Sequence, residues 1–228
     1  DIVFICVPTP MNIDGSQDLS YIEAVFDKSK KKPIYILKST VLPSTTDKLL
    51  SRYTDVKIVF SPEFLTEKNY KKDILNQSRL ILGGNIEYVN YIRFFYLSRF
   101  PDLKIIITDT KTAELIKYMN NCFLATKVSI MNEFKLISDA LDADWKTAIE
   151  GISSDHRIGK SHLNVPGHDG DLGYGGTCFP KDVNALLFLS HKLNINLNTI
   201  EGGWKTNLDV RKEKDWLKKS GRSVNFNE

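Results

Sequence analysis

Short runs rich in Ile, Val and Phe alternate with helix-period segments over the first part of the chain, and this alternation restricts the fold more than any other property of the sequence. Asp1 to Val7, Ile34 to Leu37, Val56 to Phe60, Leu80 to Gly84 and Leu103 to Ile107 read as strands. Between them, Asp18 caps a helix with Leu19, Ile22, Val25 and Phe26 on one face, Ser44 or Thr45 starts another that runs through Leu49 and Leu50, and Glu87 to Phe100 forms a third. Such an order predicts an α/β fold with a parallel sheet. Functional loops of such sheets lie past the carboxyl ends of the strands, where Thr9, Thr40 and Glu63 fall on one rim. The first run reads as a fully buried strand with no Met before it, so we expect a piece of a longer chain.

From Thr110 the period changes. Ala113, Ile116, Met119, Phe123, Ile130, Phe134, Ile137 and Leu141 recur every three or four residues, which predicts one long helix or a bent pair over 110–141. At the α-helical rise, thirty residues span about 45 Å, suited to a connector and dimer spine. Lys117 and Asn121 lie one turn apart on it and can reach a common ligand. We therefore divide the chain into a Rossmann-like domain over 1–109, a helical central domain over 110–210 and a charged, loosely held tail over 211–228.

The charge balance argues against a nucleic-acid footprint: 31 basic residues oppose 28 acidic ones, a net charge of +3. Cys6, Cys122 and Cys178 are odd in number and far apart, as expected of a reducing cytoplasm and not of a disulfide framework. No apolar run approaches membrane-spanning length. His156, His162 and His168 invite a zinc reading, but their spacing matches no compact metal motif, and no metal is expected.

The chemistry is expected at Gly173-Tyr174-Gly175-Gly176-Thr177-Cys178-Phe179-Pro180-Lys181-Asp182. Its glycines let the backbone approach a ligand closely. The apolar face from Val183 to Leu189 makes Asp182 an N-cap or first-turn residue, and Cys178 then precedes a helix N-terminus, where the dipole and Lys181 favour a thiolate. That is a nucleophile's setting, although a lone Cys is more often a small buried hydrophobe.

This stretch resembles the nucleophile loop of the UDP-glucose 6-dehydrogenase family. Val7-Pro8-Thr9-Pro10 with Asp14-Gly15-Ser16, Lys38-Ser39-Thr40-Val41, Pro62-Glu63-Phe64-Leu65-Thr66-Glu67, and Lys117 to Asn121 resemble further blocks of that family in the same order. The resemblance implies two hydride transfers to NAD that take the C6 alcohol of UDP-glucose to an acid, through a thiohemiacetal and a thioester on Cys178. It implies that Lys117 stabilises the oxyanion, that Asp182 with Asn121 orients the water and the C6 oxygen, and that Glu63 is the base for hydrolysis. Thr9, Thr40, Glu67 and Lys181 match cofactor contacts. The backbone from Glu63 through Phe64 and Leu65 to Glu67, with Lys117, Asn121, Asn164, Gly167 and Gly175, matches the hold on the sugar nucleotide. Arg157 resembles a residue near the substrate at a homodimer interface.

The sequence also departs from that family's pattern. No Gly-x-Gly-x-x-Gly follows a strand, and Gly173-x-Gly175 runs into Cys178 with no strand before it. The family's first βαβ unit and its third domain are not found in this sequence, so the chain alone is not expected to turn over. GDP-mannose and UDP-N-acetylmannosamine stay open as substrates. A non-catalytic binding or dimerisation module and a thiol hydrolase stay open as functions.

Overall fold

The computed structural model describes residues 1–28, 32–65 and 69–225. In chain order these form β1 (Ile2–Ile5), α1 (Ser20–Lys28), β2 (Ile34–Leu37), α2 (Thr45–Arg52), β3 (Lys57–Phe60), α3 (Tyr70–Leu75), β4 (Arg79–Gly84), α4 (Ile86–Leu97), β5 (Lys104–Thr108), α5 (Thr110–Ala140), α6 (Trp145–Ser153), α7 (Phe179–Lys192), α8 (Asn198–Val210) and a 3-10 turn at Asp215–Lys218. They divide into two compact units: 1–9 with 17–119, and 10–16 with 120–228. The boundary falls within α5, after Met119.

In the first unit the strands lie in the order β1-β2-β3-β4-β5. The β1–β2, β2–β3 and β4–β5 pairs are parallel; β4 runs antiparallel to β3, with Phe60 opposite Gly83. The sheet is therefore α/β and mostly parallel, with one reversal that hydrophobic runs do not encode. Strand residues alternate between two cores, as the two-residue period of a strand requires. Tyr35, Leu37, Ile58, Phe60 and Ile81 pack with Ile22 and Phe26 of α1 and Leu49 of α2. Ile36, Val59, Leu80 and Leu82 pack with Val89 and Ile92 of α4. Full burial of each such side chain stabilises the fold by about 1.5–3 kcal/mol. Gly83 is dictated by close approach, since a Cβ there would stand 2.6 Å from both Ala113 Cβ and the Asp109 carbonyl. β1 pairs with β2 in parallel, with Ile5 buried and Phe4 45% exposed.

In the second unit Met131, Leu163 and Val165 form one core, supported by Trp145 and Ile149 of α6. Met11, Trp216 and Val224 form another, supported by Trp204 and Leu208 of α8. The tail is thus not loosely held up to Asn225. Arg211 and Trp216 are buried, and the Met11 N–H donates to the Ser223 carbonyl at 2.9 Å while the Asn225 N–H donates to the Met11 carbonyl at 2.8 Å. Its charges mislead because Arg211 pairs with both Asp169 and Asp215. Among the described residues, no helix is long and apolar enough to cross a membrane.

Candidate active site

The second unit holds the thiol. Helix α7 starts at Phe179, with Cys178 at its N-cap and Pro180 within the first turn, where proline's missing N–H has no intrahelical role. Asp182 is a first-turn residue, and its N–H donates to the Cys178 carbonyl at 2.9 Å. Cys178 is exposed, with Sγ 3.7 Å from Thr177 Oγ1, whereas Cys122 is buried beneath the same turn with Sγ 3.8 Å from the Asp182 carbonyl. Burial, reinforced by Asp182, pushes the Cys122 thiol far up, so it stays protonated.

Asp182 is buried, and both of its carboxylate oxygens are occupied. Oδ1 accepts from Lys181 Nζ at 2.5 Å, and Oδ2 accepts from Asn121 Nδ2 at 2.6 Å. Asn120 Nδ2 donates to Asn121 Oδ1 at 3.3 Å, which completes a chain of polar groups. A buried ion pair needs such extra hydrogen bonds to offset its desolvation. Lys181 thus holds Asp182 from the adjacent position in sequence.

The glycine loop is clamped by three side chains that sequence reasoning missed. The Gly173 N–H donates to Asn132 Oδ1 at 3.0 Å and the Tyr174 N–H to Asn207 Oδ1 at 2.7 Å, while Asn207 Nδ2 returns to the Tyr174 carbonyl at 3.1 Å. The Gly176 N–H donates to both oxygens of Asp215, at 3.1 and 3.3 Å. Gly173 and Gly176 adopt φ of +67° and +78°, so glycine serves the turn as well as any close approach to ligand. A signal was present: Asn132 and Asn207 are amides on helices with apolar faces, and a loop of glycines needs acceptors for its N–H groups.

The remaining candidates of this unit lie in the preceding loop. Asn164 is exposed; the Gly167 N–H donates to the Asp171 carbonyl at 2.8 Å. Arg157 is exposed and forks onto Asp155, with Nε 3.0 Å from each carboxylate oxygen and Nη2 2.5 Å from Oδ2. The His162 ring lies tilted against Phe179, with centroids 5.7 Å apart. No group of three or more metal-ligating side chains occurs among the described residues.

The first unit carries the other candidates. Lys117, on α5, is buried and donates to the main-chain carbonyl of Glu63 at 2.6 Å, with Nζ 5.5 Å from the centre of the Phe64 ring. Its partner is thus the Glu63 backbone, and the Glu63 residue is exposed. Leu65 follows half-buried. Lys38 donates to the Ser61 carbonyl at 2.9 Å; burial pulls its ammonium down, opposed by Glu63 and Cys6. Thr9 lies beyond β1 and Thr40 beyond β2. Thr9 Oγ1 donates to the Thr40 carbonyl at 2.7 Å, and the same oxygen accepts from Gln17 Nε2 at 3.0 Å. Gln17 Oε1 accepts from the Leu42 N–H at 2.9 Å, so Gln17 braces the Thr40 turn, another contact not read from the sequence. Glu67 lies outside the described residues.

This rim lies where open α/β sheets bind their ligands. Buried, hydrogen-bonded Thr9 and the braced Thr40 turn provide a fixed polar edge at the carboxyl ends of parallel strands. The sequence offers no glycine-rich pyrophosphate turn beside them.

Comparison with known proteins agrees with both units. Residues 1–93 match the model of the NAD binding domain of the UDP-glucose/GDP-mannose dehydrogenase family, and residues 111–209 match the model of its central domain. A UDP-glucose 6-dehydrogenase from Rickettsia bellii is 37% identical over 196 residues, which cover 82% of this chain and 44% of the relative. The structure of a UDP-glucose dehydrogenase from Pyrobaculum islandicum matches with a TM-score of 0.80 at 29% identity, covering 92% of this chain and 50% of that one. That of a UDP-D-ManNAc dehydrogenase from Pyrococcus horikoshii matches with a TM-score of 0.76 at 27% identity, with the same coverage. The chain spans about half the length of the curated relatives it matches. With matches to two of the family's domain models in the expected order, the chain belongs to the UDP-glucose/GDP-mannose dehydrogenase family, whose first domain binds NAD.

Proposed function

We propose that this chain carries the nucleophile and much of the substrate-binding part of a UDP-glucose 6-dehydrogenase, which oxidises the C6 alcohol to a carboxylate. The observation that supports this most is the exposed Cys178 at the start of α7, one helical turn ahead of an Asp182 held by Lys181 and Asn121. NAD, when bound, accepts the hydride in each of the two oxidations, and Thr9, Thr40, Glu67 and Lys181 are the residues that would hold it.

The Cys178 thiolate adds to the C6 aldehyde, so a C–S bond forms and the carbonyl oxygen becomes an oxyanion. Covalent capture keeps the aldehyde from leaving between oxidations. An ammonium has three N–H donors, and Lys117 spends one on the Glu63 carbonyl, which leaves others for the oxyanion. Asp182 fixes the Asn121 amide, which orients the C6 oxygen and the attacking water. After the second oxidation, Glu63 takes a proton from water as the oxygen attacks the thioester; the C–S bond breaks and the thiolate returns. The Glu63, Phe64 and Leu65 backbone, Asn164, Gly167, Gly175 and Arg157 are the proposed hold on the sugar nucleotide.

A second copy of the chain is the proposed partner. Phe123, Ile130, Phe134, Ile137 and Leu141 are exposed along α5 and the residue after it, at steps of seven, four, three and four residues, which keep to one helix seam. Light scattering is expected to give a dimer, and Phe134→Glu a monomer. The proposed compartment is the cytoplasm.

Iodoacetamide labelling of the 228-residue chain, followed site by site by mass spectrometry, tests the nucleophile. Cys178 is expected to react while Cys122 does not, and UDP-glucose is expected to slow Cys178. An inert Cys178 would favour a non-catalytic binding module. Likeness to the Pyrococcus horikoshii enzyme keeps UDP-N-acetylmannosamine as the alternative substrate, and GDP-mannose is the other. Tighter calorimetric binding of either would displace UDP-glucose. No steady NADH release is expected from residues 1–228 alone.

A further inference from the structure

The loop that carries Cys178 is gripped from below by the segment that follows α8. Gly176, two residues before the thiol, gives its N–H to Asp215, and a Cβ on Gly175 would overlap both the Asp215 carboxylate and the Arg211 guanidinium. Arg211 is itself fixed. Its side chain is 4% exposed, and it donates to Asp169 Oδ2 at 2.7 Å, Asp215 Oδ1 at 3.1 Å, the Leu172 carbonyl at 3.3 Å and the Glu213 carbonyl at 2.9 Å. Lys219 closes on Asp215 at 3.3 Å. The segment is anchored next to Asp215 by Trp216, packed against Trp204 with centroids 5.6 Å apart, and at its far end by the main-chain bonds of Ser223 and Asn225 to Met11.

We propose that residues 211–225 are a positioning strap for the nucleophile loop, with Asp215 as the positioning residue that acts through the Gly176 N–H. Asn132 and Asn207 hold the loop at Gly173 and Tyr174, but only Asp215, among the described residues, holds it at Gly176, where φ of +78° turns the chain toward Cys178. The carboxylate is pulled below its ordinary range: burial raises it, but the Gly176 N–H, Lys219 and Arg211 together outweigh burial. It therefore accepts hydrogen bonds as an anion, the stronger kind. The inference deepens the reading of Cys178 as a nucleophile and names what fixes its approach.

Hydrogen exchange on the 228-residue chain tests it. Asp215→Ala is expected to speed exchange at Gly176 to Cys178 about tenfold and leave residues 120–140 of α5 unchanged. Asp215→Asn keeps an acceptor for the Gly176 N–H and is expected to stay within about threefold of the original. Gly175→Ala, approaching the same contact from the loop, is expected to speed exchange across 216–225. The labelling rate of Cys178 should change in Asp215→Ala and recover in Asp215→Asn. Unchanged exchange in the loop, an even rise across 120–225, or an Asn variant no better than Ala would each overturn the strap. If Cys178 is inert in the unaltered chain, the nucleophile reading fails, while the exchange data still decide whether the strap exists.

Discussion

Helix α2 begins with a carboxylate from elsewhere in the chain lying across its first amides, whereas α7 begins with a thiol that accepts none of its own. At α2, Ser44 has φ of +75° and makes no side-chain cap; instead Glu114 of α5 accepts from the Ser44 N–H at 2.7 Å and the Thr46 N–H at 2.8 Å. At α7, Cys178 occupies the N-cap with right-handed helical φ and ψ and caps nothing. A helix start closed by a carboxylate is structural, because its donors are taken; one left to an exposed thiol keeps its partial positive charge for a reacting group. Stability at α7 must then come from one turn further in, at Asp182.

Removing that substitute is the strongest way to break the contrast. Asp182→Ala leaves Lys181 buried with no counter-charge and Asn121 without its acceptor, and should cost about 3–5 kcal/mol in urea unfolding. A loss below about 1 kcal/mol would mean that α7 does not depend on this pair.

The α2 start gives the next largest effect, visible in its pH dependence. Burial raises the Glu114 carboxyl from its ordinary 4.5 to about 7, against the pull of the Thr46 and Ser44 groups. The folded state then holds a proton that the unfolded state has released, so this contribution to stability is full below pH 4.5 and is lost as pH rises to about 7. The displacement corresponds to about 3 kcal/mol. Glu114→Gln should flatten that slope in unfolding midpoints measured from pH 4.5 to 8, and a slope equal to that of the original chain would assign it to other groups.

A helix start of the ordinary kind calibrates both. Asp144 caps α6 with its own side chain, accepting from the Lys146 N–H at 3.0 Å and the Thr147 N–H at 3.3 Å. Asp144→Ala should cost about 1 kcal/mol by the same unfolding measurement.

What the sequence disclosed follows the range of the interactions. The alternation of strands and helices, the long helix and the Cys178-to-Asp182 turn all rest on neighbours within a few residues, and each was legible. The reversal of β4 was not, because apolar runs carry no direction. Glu114 and Asp215 stayed hidden for a related reason: Glu114 serves N–H groups 68 and 70 residues away and Asp215 one 39 residues away, and apolar periodicity does not say which distant acceptor a backbone donor takes. The tail misled through its charges, since Arg211 reads as solvated until Asp169 and Asp215 are found around it.

The smallest expected effect is the one that separates structure from chemistry at α7. A serine at an N-cap ordinarily stabilises a helix because extended backbone aims its hydroxyl at the N2 or N3 amide. Cys178 has φ of −103° and ψ of −64°, which does not present the side chain that way. Cys178→Ser should therefore shift unfolding free energy by less than about 0.5 kcal/mol and remove labelling at this position altogether. A stabilisation near 1 kcal/mol would show that the backbone can rearrange into a cap and that the thiol keeps it from doing so. A loss of that size would make Cys178 part of the packing, and its exposure at the head of α7 would no longer argue for a reacting group.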